Sequence, residues 1–287
     1  MNIDITYRGP LASCNYTCDY CPFAKRHDDS AARDADKAAL EKFVDWVDSR
    51  QGLDTIRLLI TPWGEALIRK WYRSAITRLS HMPHVRKVVI QTNLSSPLNW
   101  LVDAAVDTVA LWTTYHPTET GIEKFVEKTQ LLDQIGIAHS VGIVGKGENR
   151  AAALELRRQL NPSTYLWVNA YNDDPRYYNA DDVAFYKGID PLFELNNQCY
   201  KSFDKVCRSG ATAIAVDGSG NVKPCHFIHQ TLGNLYEGEL HDMLAPEFRC
   251  SNDTCDCYIG YIHLDELALN TIYGERILER IPHGPLG

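Results

Sequence analysis

A chain of 287 residues with 45% hydrophobic content is long enough for one large α/β domain and a small appendage. No apolar run approaches the ~20 residues needed to span a bilayer. The formal net charge of −8 disfavours nucleic acid as a partner, is compatible with a cationic substrate, and equally suits a protein whose charge serves only solubility. The N-terminal Met-Asn-Ile-Asp-Ile-Thr-Tyr lacks a basic patch followed by an apolar stretch and so does not read as a secretory signal. With a cytoplasmic location expected, nine cysteines argue for metal ligation over disulfides.

In chain order, Ile3 to Tyr7 alternates apolar and polar residues and reads as a strand that delivers the chain into a cysteine loop. Ala35 to Val47 has helical periodicity. Thr55 to Ile60 reads as a buried strand, with a loop at Thr61 to Glu65 and a helix from about Ala66. Lys87 to Gln91, Val106 to Trp112, Ala138 to Ile143 and Leu166 to Ala170 read as the third to sixth strands. Helices are expected near Trp71 to Leu79, Gly121 to Ile135 and Arg150 to Leu160. This alternation implies parallel strands with crossover helices, whose chemistry gathers at the C-terminal strand ends. From about Asn196 short Cys- and Gly-rich elements take over, which puts a boundary near residue 190. Asp265 to Arg280 regains helical spacing through Leu267, Leu269, Ile272, Ile277 and Leu278. A C-terminal helix is expected there, packed on the barrel or against a second subunit.

Cys14, Cys18 and Cys21 form the spacing C-x3-C-x2-C. Three thiolates can hold three irons of a [4Fe–4S] cluster and leave the fourth iron open for chemistry. A zinc knuckle would need a fourth Cys or His close by, and the nearest, His27, lies in a charged stretch. With aromatic Tyr20 before the last cysteine, the run resembles the radical S-adenosylmethionine (SAM) superfamily. The resemblance implies SAM on the open iron and its cleavage to a 5′-deoxyadenosyl radical.

The likeness extends over roughly residues 3–190. Thr61-Pro62-Trp63-Gly64-Glu65-Ala66 resembles the family's Gly-Gly-Glu-Pro-like segment, which binds the SAM amino group. Gly64 and Glu65 match, while Trp63 and Ala66 replace the first Gly and the Pro. Thr92-Asn93 resembles the polar tip that contacts the SAM ribose or carboxylate. Val141 to Glu148 resembles the adenine-binding segment, with Ile143, Gly145 and Glu148 at the expected spacing and Val141 where the first Gly stands. Glycine there permits close backbone approach to a flat ring. The loops Thr113 to Glu119 and Asn169 to Asp174 would face the barrel mouth, with Tyr115, His116, Glu119, Asn172, Asp173 and Asp174 suited to a polar substrate. A solvated turn at Asn172-Asp173-Asp174-Pro175 and a structural role for His116 are the alternatives.

Further on, Cys207 and Cys225 flank the hairpin sequence Asp217-Gly218-Ser219-Gly220, followed by Leu232-Gly233-Asn234-Leu235. This resembles the opening half of the auxiliary-cluster domains called SPASM or twitch, and the cysteine count favours the one-cluster twitch form. The resemblance implies a second [4Fe–4S] cluster on Cys207 and Cys225. Its other ligands come from Cys250, Cys255 and Cys257, whose spacings depart from the family's Cys-x2-Cys. Cys255 and Cys257 are taken as the ligands and Cys250 as a catalytic thiol. Cys199 is expected to be a small buried apolar residue.

The expected protein is an α/β radical SAM enzyme: a partial (β/α)6 TIM-like barrel over residues 1–190 and a Cys-rich twitch-like domain over 191–287. It resembles aminoglycoside-pathway epimerases and dehydrogenases. The leading expectation is hydrogen abstraction from a small polar, cationic natural product and epimerisation, with a cysteine returning the hydrogen. Dehydrogenation through the second cluster and modification of a ribosomal peptide are the alternatives. A flavodoxin or ferredoxin is the expected reductant, and neither nucleic acid nor membrane is an expected partner.

Overall fold

The computed structural model describes residues 1–23, 26–171 and 177–284. Six strands run parallel and adjacent in chain order: β1 (Asn2–Arg8), β2 (Thr55–Ile60), β3 (Val85–Thr92), β4 (Val109–Tyr115), β5 (Ala138–Val144) and β6 (Leu166–Asn169). Helices α1 (Ser30–Ser49), α2 (Lys70–Ser80), α3 (Ile122–Ile135), α4 (Arg150–Gln159) and α5 (Ala180–Lys187) connect or follow them. The crossover after β3 carries only a 3-10 turn, Asn99–Asp103.

Strand period decides what faces what. Leu58, Ile60, Val88, Ile90, Val109, Leu111, Val141, Ile143, Leu166 and Val168 enter one core with Leu40, Phe43 and Val47 of α1 and Tyr72, Ile76 and Leu79 of α2. The residues between them, Leu59, Val89, Ala110, Trp112 and Trp167, enter a second core on the opposite face. Strands buried on both sides read as continuous apolar runs, which is why they were visible in the sequence.

The second core is completed from the chain beyond residue 190. Tyr258, Tyr261, Leu269, Tyr273, Ile277 and Leu278 pack onto the inner face. The sheet also grows from that part of the chain. The short strands β7 (Tyr200–Lys201) and β8 (Val206–Cys207) precede β9 (Ala213–Asp217), which pairs parallel to the free side of β1. Two antiparallel strands, β10 (Asn221–Lys223) and β11 (Gly233–Asn234), extend it to nine strands. The Asp217 carboxylate closes the β9–β10 hairpin, accepting from Ser219 N at 2.9 Å and Asn221 N at 3.1 Å. β12 (Phe248–Arg249) pairs with β8, and β13 (Thr254–Cys255) with β7.

Three expectations are corrected. The C-terminal stretch is not one helix but separate short turns, Asp265–Leu267, Asn270–Tyr273 and Gly274–Arg276. Ala268 (φ 45) and Gly274 (φ 53) take left-handed backbone, which a right-handed helix cannot pass through. Leu269, Ile277 and Leu278 are nonetheless buried, at about 2 kcal/mol for each aliphatic side chain, Leu267 and Ile272 are partly buried, and polar anchors fix the position of the segment. Arg57 Nη1 donates to Glu275 Oε2 at 2.8 Å, and Ser140 Oγ to the Glu279 carbonyl at 2.9 Å. Strand β4 starts at Val109 rather than Val106, because the Ala105 carbonyl turns the chain by accepting from Thr108 N and Val109 N. Helix α2 starts at Lys70 rather than near Ala66, whose carbonyl accepts from Arg69 N in a turn. Among the described residues, no helix is long and apolar enough to cross a membrane.

Candidate active site

The cysteine loop leaves β1 and is held at three points before its first thiol. Asp36 of α1, fully buried, accepts from Leu11 N at 3.0 Å, Tyr72 OH at 3.0 Å and Trp71 Nε1 at 2.7 Å. Asp28 accepts from Ala12 N at 3.0 Å and Ser13 N at 2.7 Å. From the other side the β2–α2 loop closes on Ser13, with Glu65 N donating to the Ser13 carbonyl at 3.2 Å. That approach requires glycine at position 64, since a Cβ there would lie 1.9 Å from the same carbonyl oxygen. Gly64 therefore docks one loop on the other.

Glu65 is 2% exposed and its acceptors are committed. Oε1 accepts from Leu67 N at 3.0 Å and Thr92 Oγ1 at 2.8 Å, and Oε2 from Asn93 N at 2.6 Å. Burial raises this carboxyl to about 6, opposed by the donors from Asn93, Thr92 and Leu67. Its visible role is to lock the end of β3. Asn93 in turn reaches the cysteine loop, its Nδ2 lying 3.7 Å from Cys14 Sγ and 3.1 Å from Asn15 Oδ1.

The loop after β4 also turns on the cysteines. His116 Nδ1 lies 3.4 Å from Cys18 Sγ and 2.8 Å from Tyr20 OH, with the Tyr20 and His116 rings stacked. Burial lowers the His116 imidazole to about 4 against the pull of Glu119. Glu119 Oε1 accepts from Thr17 N at 3.0 Å and Thr17 Oγ1 at 3.2 Å. His116 and Glu119, expected to face a substrate, hold the cysteine loop, and Tyr115, expected with them, packs in the core against Phe125. Asn172, Asp173 and Asp174 lie outside the described residues.

All of this surrounds a cavity of about 860 Å³ at the C-terminal ends of the strands. Sites for small-molecule ligands run to ~300–1,000 Å³. Cys14, Cys18 and Cys21 line it, as do Tyr20, Gly64, Glu65, Thr92 and Asn93. Ile143 is instead buried in the core beneath the helices. Gly145 packs on Tyr178 and Val168, its N–H donating to the Asn169 carbonyl at 2.8 Å. Close approach of a flat ring does occur on β5, but the ring belongs to the protein: a Cβ on Gly142 would lie 2.1 Å from the Trp167 indole. Of the adenine-like segment, Val144 lines the cavity.

The remaining cysteines divide differently from expectation. Pairing of β12 with β8 draws Cys250 toward Cys207, with Phe248 opposite Cys207 and Cys250 N donating to the Lys205 carbonyl at 2.9 Å. Burial, then the charges of Cys207 and Cys250, push the Cys225 thiol up to about 11. Burial and then Cys225, Cys257, Cys250 and Cys207 raise Cys255. Cys207, Cys225, Cys250 and Cys255 thus lie within electrostatic range of one another, and Cys257 within range of Cys255. Cys257 lines the cavity while those four do not. Cys250, expected as the catalytic thiol, sits with the ligand candidates, and Cys257, expected as a ligand, faces the cavity. Cys199, expected to be buried, is exposed.

The donor chemistry fits iron–sulfur clusters at both places: three thiols with one open position at the cavity, four away from it. Among the described residues no three His, Cys, Asp or Glu side chains converge for a single metal ion. Thiolates on a cuboidal cluster bind different irons and stand further apart than ligands of one ion. Sequence reading missed Arg8, Arg280, Trp112 and Trp167, all of which line the cavity. Arg8 and Trp112 each sit on the inward strand phase and were open to a register argument. Arg280 was not, because only the irregular C-terminal segment carries it inside.

No protein-family model matches the chain, and no curated protein matches it in sequence. Solved structures do resemble it. Native anSMEcpe with bound AdoMet and the Cp18Cys peptide superposes with a TM-score of 0.56 at 12% identity, covering 85% of this chain and 80% of that one. Native anSMEcpe with bound AdoMet gives 0.55 at 14%, over 84% and 80%. BtrN in complex with AdoMet and 2-DOIA aligns over 84% of this chain and 81% of that one at 18% identity, but a TM-score of 0.39 is too loose a superposition to bear on function. The chain therefore shares an α/β fold with a protein that holds AdoMet.

Proposed function

We propose that this chain is a radical SAM enzyme acting on a small polar substrate. The observation that carries the reading is the convergence of Cys14, Cys18 and Cys21 with Gly64, Thr92 and Asn93 at one cavity on the C-terminal strand ends. The bound AdoMet of anSMEcpe, which shares the fold, supports it. A [4Fe–4S] cluster with SAM on its open iron supplies, when bound, one-electron cleavage of SAM and abstraction of a hydrogen atom. This chain's residues would hold and shield that group. Gly64 and Asp28 fix the cysteine loop, Asn93 lies against Cys14, and His116 and Tyr20 cover Cys18.

We assign a twitch-like auxiliary [4Fe–4S] cluster to Cys207, Cys225, Cys250 and Cys255, within a C-terminal region beginning near residue 190. The fate of the substrate radical then rests on Cys257. Epimerisation follows when its S–H gives a hydrogen atom to the carbon radical; the sulfur radical left behind takes back one electron and one proton, with flavodoxin or ferredoxin as the electron donor. A second reading, dehydrogenation, is favoured by the nearness of Cys255, one of the four thiols, to Cys257: a cluster held by those thiols would serve as electron acceptor, with the proton passing to solvent.

The test is anaerobic reconstitution, EPR of the reduced cluster with and without SAM, and assay of 5′-deoxyadenosine. An EPR spectrum indifferent to SAM would overturn the enzyme reading in favour of an iron–sulfur carrier. In D2O with a panel of candidate substrates, one deuterium in an isomeric product marks epimerisation, and a product two mass units lighter marks dehydrogenation.

A further inference from the structure

Three guanidinium groups line the cavity, those of Arg8, Arg26 and Arg280; Arg26 is exposed, and among the described residues neither Arg8 nor Arg280 is in an ion pair. Arg280 is 1% exposed. Its guanidinium lies 4.1 Å from the Trp167 ring, 4.2 Å from Tyr258 and 5.3 Å from Trp112. Nη2 donates to Asn196 Oδ1, which also accepts from Tyr261 OH, and among the described residues Nε has no acceptor. The acid of this network, Asp190, stands one side chain away, 3.4 Å from Asn196 Nδ2, and already accepts from Tyr165 OH, Val168 N and Leu192 N. Arg280 also has left-handed backbone, φ 55, a strained state for a long side chain that clusters at functional sites.

Arg8 stands at the end of β1. Its Nε is taken by Thr61 O at 2.9 Å and Thr61 Oγ1 at 3.3 Å, and its guanidinium lies 4.1 Å from the Trp63 ring. Both arginines are near enough to Cys257 for their charges to act on its thiol. Of the acids lining the cavity, Glu65 is committed to Leu67, Thr92 and Asn93, and among the described residues Asp256 forms no ion pair with either arginine.

A buried charge without a counter-ion is costly, and a guanidinium fork matches a carboxylate or phosphate. We propose that Arg280, with Arg8, forms an oxyanion subsite in the cavity that binds a carboxylate or phosphate group of the substrate. This rests on reading the cavity as the substrate site. It reverses the expectation of a polycationic substrate: the net charge of −8 belongs to the whole surface, whereas the cavity is locally cationic.

The experiment is isothermal titration calorimetry of the cluster-loaded full chain with sodium acetate, inorganic phosphate and 1,3-diaminopropane, at ionic strength fixed with chloride, with and without SAM. At least one oxyanion should bind with SAM present, and the diamine should not. Arg280→Gln should weaken that binding about tenfold or more, as loss of a charge-assisted hydrogen bond does. Arg8→Gln should weaken it less, and Arg280→Lys should retain part of it. Should Arg280→Gln fail to fold, the Arg8→Gln and Arg280→Lys pair decides. Equal oxyanion binding in all variants, or binding of the diamine alone, overturns the subsite. So does displacement of acetate by SAM but not by decarboxylated SAM, which would assign the arginines to SAM's own carboxylate. Formation of 5′-deoxyadenosine is read separately, so failure of the radical reading is distinct from failure of the subsite.

Discussion

The two groups of cysteines are assembled in opposite ways. Cys14, Cys18 and Cys21 lie within eight residues of one another in sequence, and local anchors on α1 and the β2–α2 loop hold the backbone that carries them. Cys207, Cys225, Cys250 and Cys255 are spread over nearly fifty residues, and two-stranded pairings bring them together. The first group opens on the cavity and the second does not. A spacing motif with one open iron position suits chemistry, and four enclosed thiols suit a cluster kept from the substrate.

The largest effect expected is on the first group. Changing any of Cys14, Cys18 and Cys21 to Ala should remove about four irons per chain and abolish 5′-deoxyadenosine formation, as measured by iron assay and chromatography. Retention of SAM cleavage in any of the three variants would break the comparison at its root.

The second group is tested by setting Cys250 against Cys257. Cys250→Ala should lose most of the remaining iron, again about four atoms. Cys257→Ala should keep its iron and its SAM cleavage but yield no deuterated epimer in D2O. The reverse pattern would restore the expectation that Cys250 is the donor thiol and Cys257 a ligand.

A smaller effect tests how the first loop is anchored. Gly64→Ala puts a Cβ at 1.9 Å from the Ser13 carbonyl oxygen, so the two loops must part. We expect about 3 kcal/mol of destabilisation, in the range of severe steric substitutions, seen as a lower denaturation midpoint and weaker cluster retention. Wild-type stability would mean that the loops are not docked this way.

The smallest effect is the pH dependence from Glu65. Its carboxyl rises from 4.5 to about 6 in the folded state, so folding favours the protonated form. The stabilisation this brings is fully present below pH 4.5 and is lost as pH climbs through 6. It amounts to about 2 kcal/mol. The difference in unfolding free energy between wild type and Glu65→Gln should change by about that much between pH 4.5 and 7, and then level off. A flat difference across that window would mean that Glu65 is not buried as described.

Much of the parallel sheet was legible because its strands are covered on both sides. Runs such as Leu58-Leu59-Ile60 and Val88-Val89-Ile90 carry their burial in composition alone. The helical spacing of the C-terminal stretch was a true signal of burial and a false one of helix, because an apolar pattern does not reveal left-handed residues such as Ala268. The adenine-like segment was read from spacing, and spacing does not reveal that Ile143 enters the core or that Gly145 packs on Tyr178 and Val168.

What the sequence by itself determined was the parallel α/β core and the chemistry available at the first cysteine loop, since both depend on neighbours in the chain. Tertiary structure alone decided which cysteine faces the cavity, that His116 and Glu119 hold the cysteine loop, and that Arg280 reaches the cavity. Those outcomes depend on contacts between residues far apart in sequence, such as Arg280 with Trp112 and Trp167, and no local period or spacing encodes a contact that only chain packing creates.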